Sequence, residues 1–422
     1  MRNALRYLLV FLCLLELLSI TWLRKWAGPF NSPVYLLVCG IAIGVVYYFL
    51  EKEKIEKEIS GAWKPKWMLW TSAGCMITLS ALLLYHVLLL IQQYPIDRYD
   101  SSVSDIIPQT EVMVHRLRAG VFPYSEIHMT NYSMFPGYMP LQWMPYVLAD
   151  VLGMDYRLFA TLFLLGAMWL YFMRTTHAGN VFGWWPALVW YLMLQYDAMP
   201  FAYTLETMIA AFYFLTIWAI GAKNIFAATL GMGVCLLSRY SIILWVPLFF
   251  IILLLNREPK KMVWSAGILA GMYLCIYILP FLSRDIHIYS EGYNYYTKAT
   301  VAEWERTVGS QKPEHIFNGL GTASWGYAYF TGNDMAEKVH KWQQVHFWVS
   351  LITVIILAGS FYIKRKTLLP GPWMRMSLKV YLSVFYIFIQ IPFDYLFFVP
   401  LMCSALLLVE AQHTISGRRV SA

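Results

Sequence analysis

Charge is what this sequence has least of. Asp, Glu, Lys and Arg make up 13% of its 422 residues, where soluble domains carry about 25%, and this excludes an ordinary soluble chain. Cysteine is missing from every polar stretch: Cys13, Cys39, Cys75, Cys235, Cys275 and Cys403 all fall inside apolar runs. A disulfide framework is thereby excluded, and the six read as small packing residues. His287, His315, His340 and His346 do not have the spacing of a zinc site, so no metal is assigned. Internal repeats and low-complexity tracts are also absent. The net charge of +8 sits mostly in short loops, where it works as a topology signal and not as a nucleic-acid surface.

What is present is apolar. Hydrophobic residues make up 59% of the chain and aromatic residues 17%. Apolar runs lie near 6–23, 33–50, 67–91, 156–173, 181–197, 200–221, 225–238, 240–255, 262–283, 346–363, 376–391 and 395–411. Most approach the roughly 20 residues that cross a bilayer. The reading is an all-α polytopic membrane protein with about twelve transmembrane helices, forming a single membrane-embedded domain over 1–422. The runs at 225–238 and 240–255 are shorter and fit tilted or partly spanning helices. The first run follows Arg2 and Arg6 but is followed by Arg24 and Lys25, not by a small-residue cleavage site, so it is expected to be a retained helix.

Twelve crossings require loop charge to alternate, and it does. One side carries Arg2, Arg6, the lysines of 52–66, Arg174, Lys223, Arg257, Lys260, Lys261, the 364–366 cluster, Arg418 and Arg419. Arg24 and Lys25 are the exceptions. By the positive-inside rule both termini are cytoplasmic in a plasma (inner) membrane. Two long polar segments, 92–155 and 284–345, then face the extracytoplasmic side. Within the first, 139–153 is apolar but too short and proline-broken to span. With Trp143 and Tyr146 it suits an interfacial helix.

The first polar segment reads YPIDRYDSSVSDIIPQTEVMVHRLRAGVFPYSEI and then NYSMFPGYMPLQWMPY. Asp97, Asp100 and Asp105 follow directly on the end of an apolar run, where carboxylates are costly unless solvated or used. Asp105 or Ser104 is equally suited to cap a helix over 111–117 that ends at Gly120. Asp97 and Asp100 flank Arg98, and a surface ion pair is the plain alternative.

The pattern of Asp105, a helix ending at Gly120, Pro123-Tyr124, and then Tyr138, Pro140, Leu141 and Pro145 resembles GT-C glycosyltransferases. The nearest likeness is to the polyprenyl-phosphate-sugar-dependent mannosyl- and arabinosyltransferase branch. Pro108 departs from it by falling at the start of the loop helix, as do two extra spans before the loop. The resemblance implies a catalytic Asp in this loop, matching Asp105 first and Asp100 second. It also implies a basic residue facing the donor phosphate, matched by Arg239 in LLSRYSIILWVPLF, where a snorkelling arginine is the alternative. Lys298 is a second candidate for the phosphate. Asp97, Tyr124, Glu206, Trp304, Trp325 and Asp394 are candidates for substrate binding. Glu206, an acid one or two turns into a span, is a functional candidate by position alone, though pairing with Arg239 would also account for it. The aromatics of 284–345 suit sugar stacking or interface anchoring.

The expected activity is inverting transfer of a mannose-like hexose or pentose from a polyprenyl-phosphate donor to a glycan or lipid acceptor. Membrane lipids are the surroundings and nucleic acid is not a partner. No cofactor is required on this reading, with a divalent metal as the alternative. Two rivals stand beside it: an O-antigen polymerase or ligase, which relies on arginines instead of an aspartate base, and a polytopic transporter or lipid flippase. Transporters place charge near the bilayer midplane, whereas most ionisable residues here lie in loops and at helix ends.

Overall fold

A computed structural model describes residues 2–53, 66–96, 104–130, 132–307 and 312–416. Asp97 and Asp100 lie outside these residues. The chain is an all-α membrane protein. Among the described residues, six helical segments are long and apolar enough to cross a bilayer: Tyr7–Tyr47, Lys66–Gln93, Tyr156–His177, Pro259–Leu282, Met335–Lys364 and Asp394–Ala411. The first of these doubles back at Gly28, whose φ of +52° suits a residue without a Cβ. Arg2–Leu18 and Asn31–Glu53 therefore pack side by side.

Three further apolar helices are shorter: Glu206–Gly221, Ile225–Leu236 and Trp245–Leu255. At about 1.5 Å per residue, the last two reach only roughly 18 and 16 Å, well short of a hydrocarbon core of about 30 Å. Arg239, at their junction, is consequently recessed from the end of the bundle. The Pro259–Leu282 span changes to a π-helix from Leu274, with Pro280 inside it. A proline lacks the N–H and crowds the carbonyl one turn back, which accounts for the change of register.

The two polar segments both contain short helices and meet each other. The first holds Ile106–Arg118, a two-residue antiparallel pairing of Ile127–His128 with Ser133–Met134, and the short helices Pro140–Trp143 and Tyr146–Val151. Pro108 does not interrupt the loop helix, because it falls in the first turn, where a missing N–H costs nothing. The helix starts five residues earlier than the sequence suggested. The 139–153 segment is two short helices and not one. Its Trp143 and Tyr146 are fully buried, so they serve the core and not the interface. Leu148, Val151 and Leu152 carry the exposed apolar face.

The second segment contains Ile288–Glu305 and Ala323–Tyr329, and its last part is already the start of the 30-residue Met335–Lys364 helix. A separate small core of Trp304, Ile316, Ala323, Val339 and Trp342 holds it together. The two segments meet where Gly137 lies against Gly292, close enough that a Cβ on Gly292 would stand only 3.0 Å from the Gly137 Cα.

Candidate functional site

Asp105 sits at the N-terminal boundary of the Ile106–Arg118 helix but does not cap it with its side chain. Ser104 anchors that turn instead. Its Oγ donates to the Tyr203 carbonyl at 2.7 Å and accepts from the Ile106 N–H. The Asp105 carboxylate is left free to turn inward, where Oδ2 accepts a hydrogen bond from the Tyr132 hydroxyl at 2.9 Å. Burial pushes this carboxyl above the ordinary range, and the Tyr132 hydroxyl opposes that by favouring the charged form. Such a group holds a proton more readily than a solvated aspartate and is a stronger base once ionised.

Arg239 lies deeper, at the tip of the two short helices. Its guanidinium meets Glu206 in a bidentate pair, with Nη1–Oε1 at 2.5 Å and Nη2–Oε2 at 2.7 Å. Glu206 opens the Glu206–Gly221 helix and is almost fully buried, whereas the Arg239 side chain keeps 18% of its surface open. The sequence alternative in which Glu206 simply pairs with Arg239 is thus present in the structure. A snorkelling arginine is not, because the guanidinium turns inward to Glu206.

The first polar segment is tied directly over this tip. The Leu141 N–H donates to the Leu237 carbonyl, two residues before Arg239, at 2.9 Å. Tyr138 and Tyr395 bridge the two groups. Each lies within electrostatic reach of both Asp105 and Arg239. Tyr295 is within electrostatic reach of Asp105, and Tyr296 and Tyr386 of Arg239. A carboxylate, a guanidinium and a set of phenols therefore converge at one end of the bundle, brought there by four separate stretches of chain.

The remaining sequence candidates are placed variously. Asp394 joins Asp197 on Arg24, whose Nη2 is 2.8 Å from an oxygen of each. This explains why Arg24 broke the charge pattern of the loops: two acids neutralise it locally. Tyr124 is buried in an aromatic cluster with Trp143, Tyr277 and Phe281, and its hydroxyl donates to the Tyr138 carbonyl. It supports the loop from beneath and exposes no face to a substrate. Trp304 is likewise fully buried, its indole N–H donating to the Gln390 carbonyl at 3.0 Å, so it is a core residue of the second segment and not a stacking platform. Lys298 is exposed on the Ile288–Glu305 helix, and Trp325 is partly exposed.

Three features were not read from sequence. Arg157 is buried and grips the carbonyls of Tyr94 and Ala202 while pairing with Asp155, fixing the bundle edge beneath Asp105. Glu303 pairs with His315 at 2.6 Å. That bond from His315 holds the Glu303 carboxyl low, and its counterpart raises the imidazole. An apolar groove of about 470 Å³ runs between Met144, Leu148 and Val151 of the first segment and Phe159 and Phe163 of the Tyr156–His177 helix. Among the described residues, no three of His, Cys, Asp or Glu converge as metal ligands would.

Comparison with protein families, with curated proteins and with solved structures finds no match to this chain.

Proposed function

We propose that this chain is a GT-C-type glycosyltransferase with about twelve crossings, working on the extracytoplasmic face of a plasma membrane. The observation that carries the reading is that Tyr138 and Tyr395 each lie within electrostatic reach of both Asp105 and Arg239. The basic loops at the opposite end of the bundle support the sidedness, with both termini cytoplasmic. A polyprenyl-phosphate sugar would lie with its chain along the Met144–Phe163 groove and its phosphate toward Arg239.

In that pose Asp105 takes the proton from an acceptor hydroxyl as its oxygen attacks the anomeric carbon. The bond from that carbon to the phosphate oxygen breaks in the same displacement, which inverts the centre. The departing phosphate carries the electron pair. Arg239 stabilises it by trading part of its bidentate pairing with Glu206 for the phosphate oxygens. Lys298 is the second candidate for the phosphate. The sugar is a mannose-like hexose or a pentose, the acceptor is a glycan or lipid, and no cofactor is required.

The test is transfer of radiolabelled sugar from synthetic polyprenyl-phosphate sugars by protein purified in detergent, comparing the natural chain with Asp105→Asn. Loss of transfer with folding and donor binding intact is the expected result. Full activity in the variant would move the base to Asp100 or Asp97. Absence of transfer from every donor would overturn the reading and leave transport, which one observation favours: a fully buried ion pair in the middle of the bundle.

A further inference from the structure

That pair is Glu16 with Lys379, each about 1% exposed, on the Arg2–Leu18 and Pro370–Ile387 helices. Glu16 accepts three hydrogen bonds. One oxygen accepts from Lys379 and from the Tyr35 hydroxyl at 3.1 Å, and the other accepts from Ser404 at 2.6 Å. Ionisable groups inside a membrane bundle are rare and costly. Replacing such a pair by apolar residues is often neutral or stabilising, so structural need alone does not account for it.

Its surroundings are polar in an ordered way. On the Pro370–Ile387 helix, Arg375, Lys379, Ser383 and Tyr386 recur at intervals of four, four and three, which places them on one face. All four are buried. Arg375 pairs with Glu410 at the end carrying the basic loops. The Ser383 hydroxyl is buried without a hydrogen-bond partner and lies toward Tyr35. Tyr386 donates to the Ser241 hydroxyl at 3.0 Å, which is shared with Tyr213 at 2.9 Å, and it lies within reach of Arg239 and Glu206.

On the other side of Glu16 is a cavity of about 20 Å³ lined by Cys13, Val46, Ser404 and Leu408, among others, large enough for one water. Every lining residue that follows Tyr35 or Ser404 on its helix, or precedes Glu16, lies farther from the Arg239 end. The cavity borders Glu16 and Ser404 directly.

We propose that Glu16 is a proton-binding site inside the bundle, loaded through this cavity, and that Tyr35, Ser383 and Tyr386 pass protons between it and the Glu206–Arg239 end. The inference is independent of whether the outer face transfers a sugar. A proton from cavity water adds to a Glu16 oxygen, and Lys379 remains charged beside a neutral acid. Each hydroxyl then accepts one proton and releases another, so no group is consumed, and a transmembrane proton gradient drives the movement. The groups facing Glu16 are Lys379, Tyr35 and Ser404, with the thiols of Cys13, Cys39 and Cys403 around them.

The experiment is proton uptake into proteoliposomes holding a pH-sensitive dye, driven by a potassium diffusion potential. The natural chain is expected to exceed protein-free vesicles. Glu16→Gln, which preserves the shape and keeps one acceptor oxygen, is expected to fall to the protein-free level. Because Glu16→Gln disturbs the ion pair, Ser383→Ala serves as the second variant: it leaves the pair intact and is expected to lose most of the flux. Uptake by the natural chain no greater than by empty vesicles would overturn the proposal. So would equal uptake by the natural chain and Ser383→Ala.

Discussion

Glu206–Arg239 and Glu16–Lys379 are both carboxylate–cation pairs within an apolar bundle, and they differ in one respect that decides what each can do. The Arg239 guanidinium keeps an open flank at the tip of two short helices, while Lys379 and Glu16 are closed on all sides. An arginine with an open flank and a planar fork can exchange one carboxylate for another anion. A closed pair has room beside it for nothing larger than a water. The short helices are the cause of the difference: they lower Arg239 into the bundle without sealing it, whereas Lys379 sits inside a full-length one.

The comparison breaks most sharply at the closed pair. Lys379→Met leaves Glu16 with only Tyr35 and Ser404, and removing one partner of a buried pair costs about 3–5 kcal/mol. The melting midpoint in detergent should fall steeply, or folded protein should be lost. Replacing both residues, Glu16→Met with Lys379→Met, should recover most of that loss. A double variant no better than the single one would mean that the surrounding helices, and not the uncompensated charge, set the cost.

The open pair should respond less strongly and in a way that ligand can reverse. Glu206→Gln removes one charge from a partly solvated guanidinium, at a cost of about 1–3 kcal/mol. Arg239 is then freer to take an anion, so inorganic phosphate or a polyprenyl phosphate should raise the melting midpoint of this variant and leave that of Lys379→Met unmoved. Equal rescue of both, or of neither, would erase the distinction between them.

How much of this was legible in the sequence follows the range over which each signal acts. Apolar runs report spans because a bilayer acts on every residue of a helix alike. The polar segment around Asp105 stood out for the same reason, and Arg239 stood out because two short runs flank it. Glu16 was visible as a lone acid in LLELL, but its partner lies on a helix at the other end of the chain, and no local pattern links them. Trp304 and Tyr124 have the chemistry of sugar platforms; residue type does not say which side of a loop turns inward, and both turned inward. Arg24 was seen only as an exception to the charge rule. The exception was itself the signal of Asp197 and Asp394 waiting across the bundle.

The smallest effect tests the carboxylate that the open pair faces. The Tyr132 hydroxyl donates to Asp105 at 2.9 Å and favours its charged form against burial. Tyr132→Phe removes a hydrogen bond worth about 1 kcal/mol. The sign follows from which form the bond favours. Losing it raises the Asp105 pKa further, so more alkaline solution is needed to ionise the base. The acid limb of a pH–rate profile should therefore move upward, with the plateau rate at higher pH little changed. Carbodiimide labelling of Asp105 against pH, read by mass spectrometry, reports the same shift without depending on transfer, since only the protonated acid is activated. A limb that stays in place in both measurements would show that Tyr132 does not tune Asp105. It would then leave burial as the dominant influence on this carboxyl.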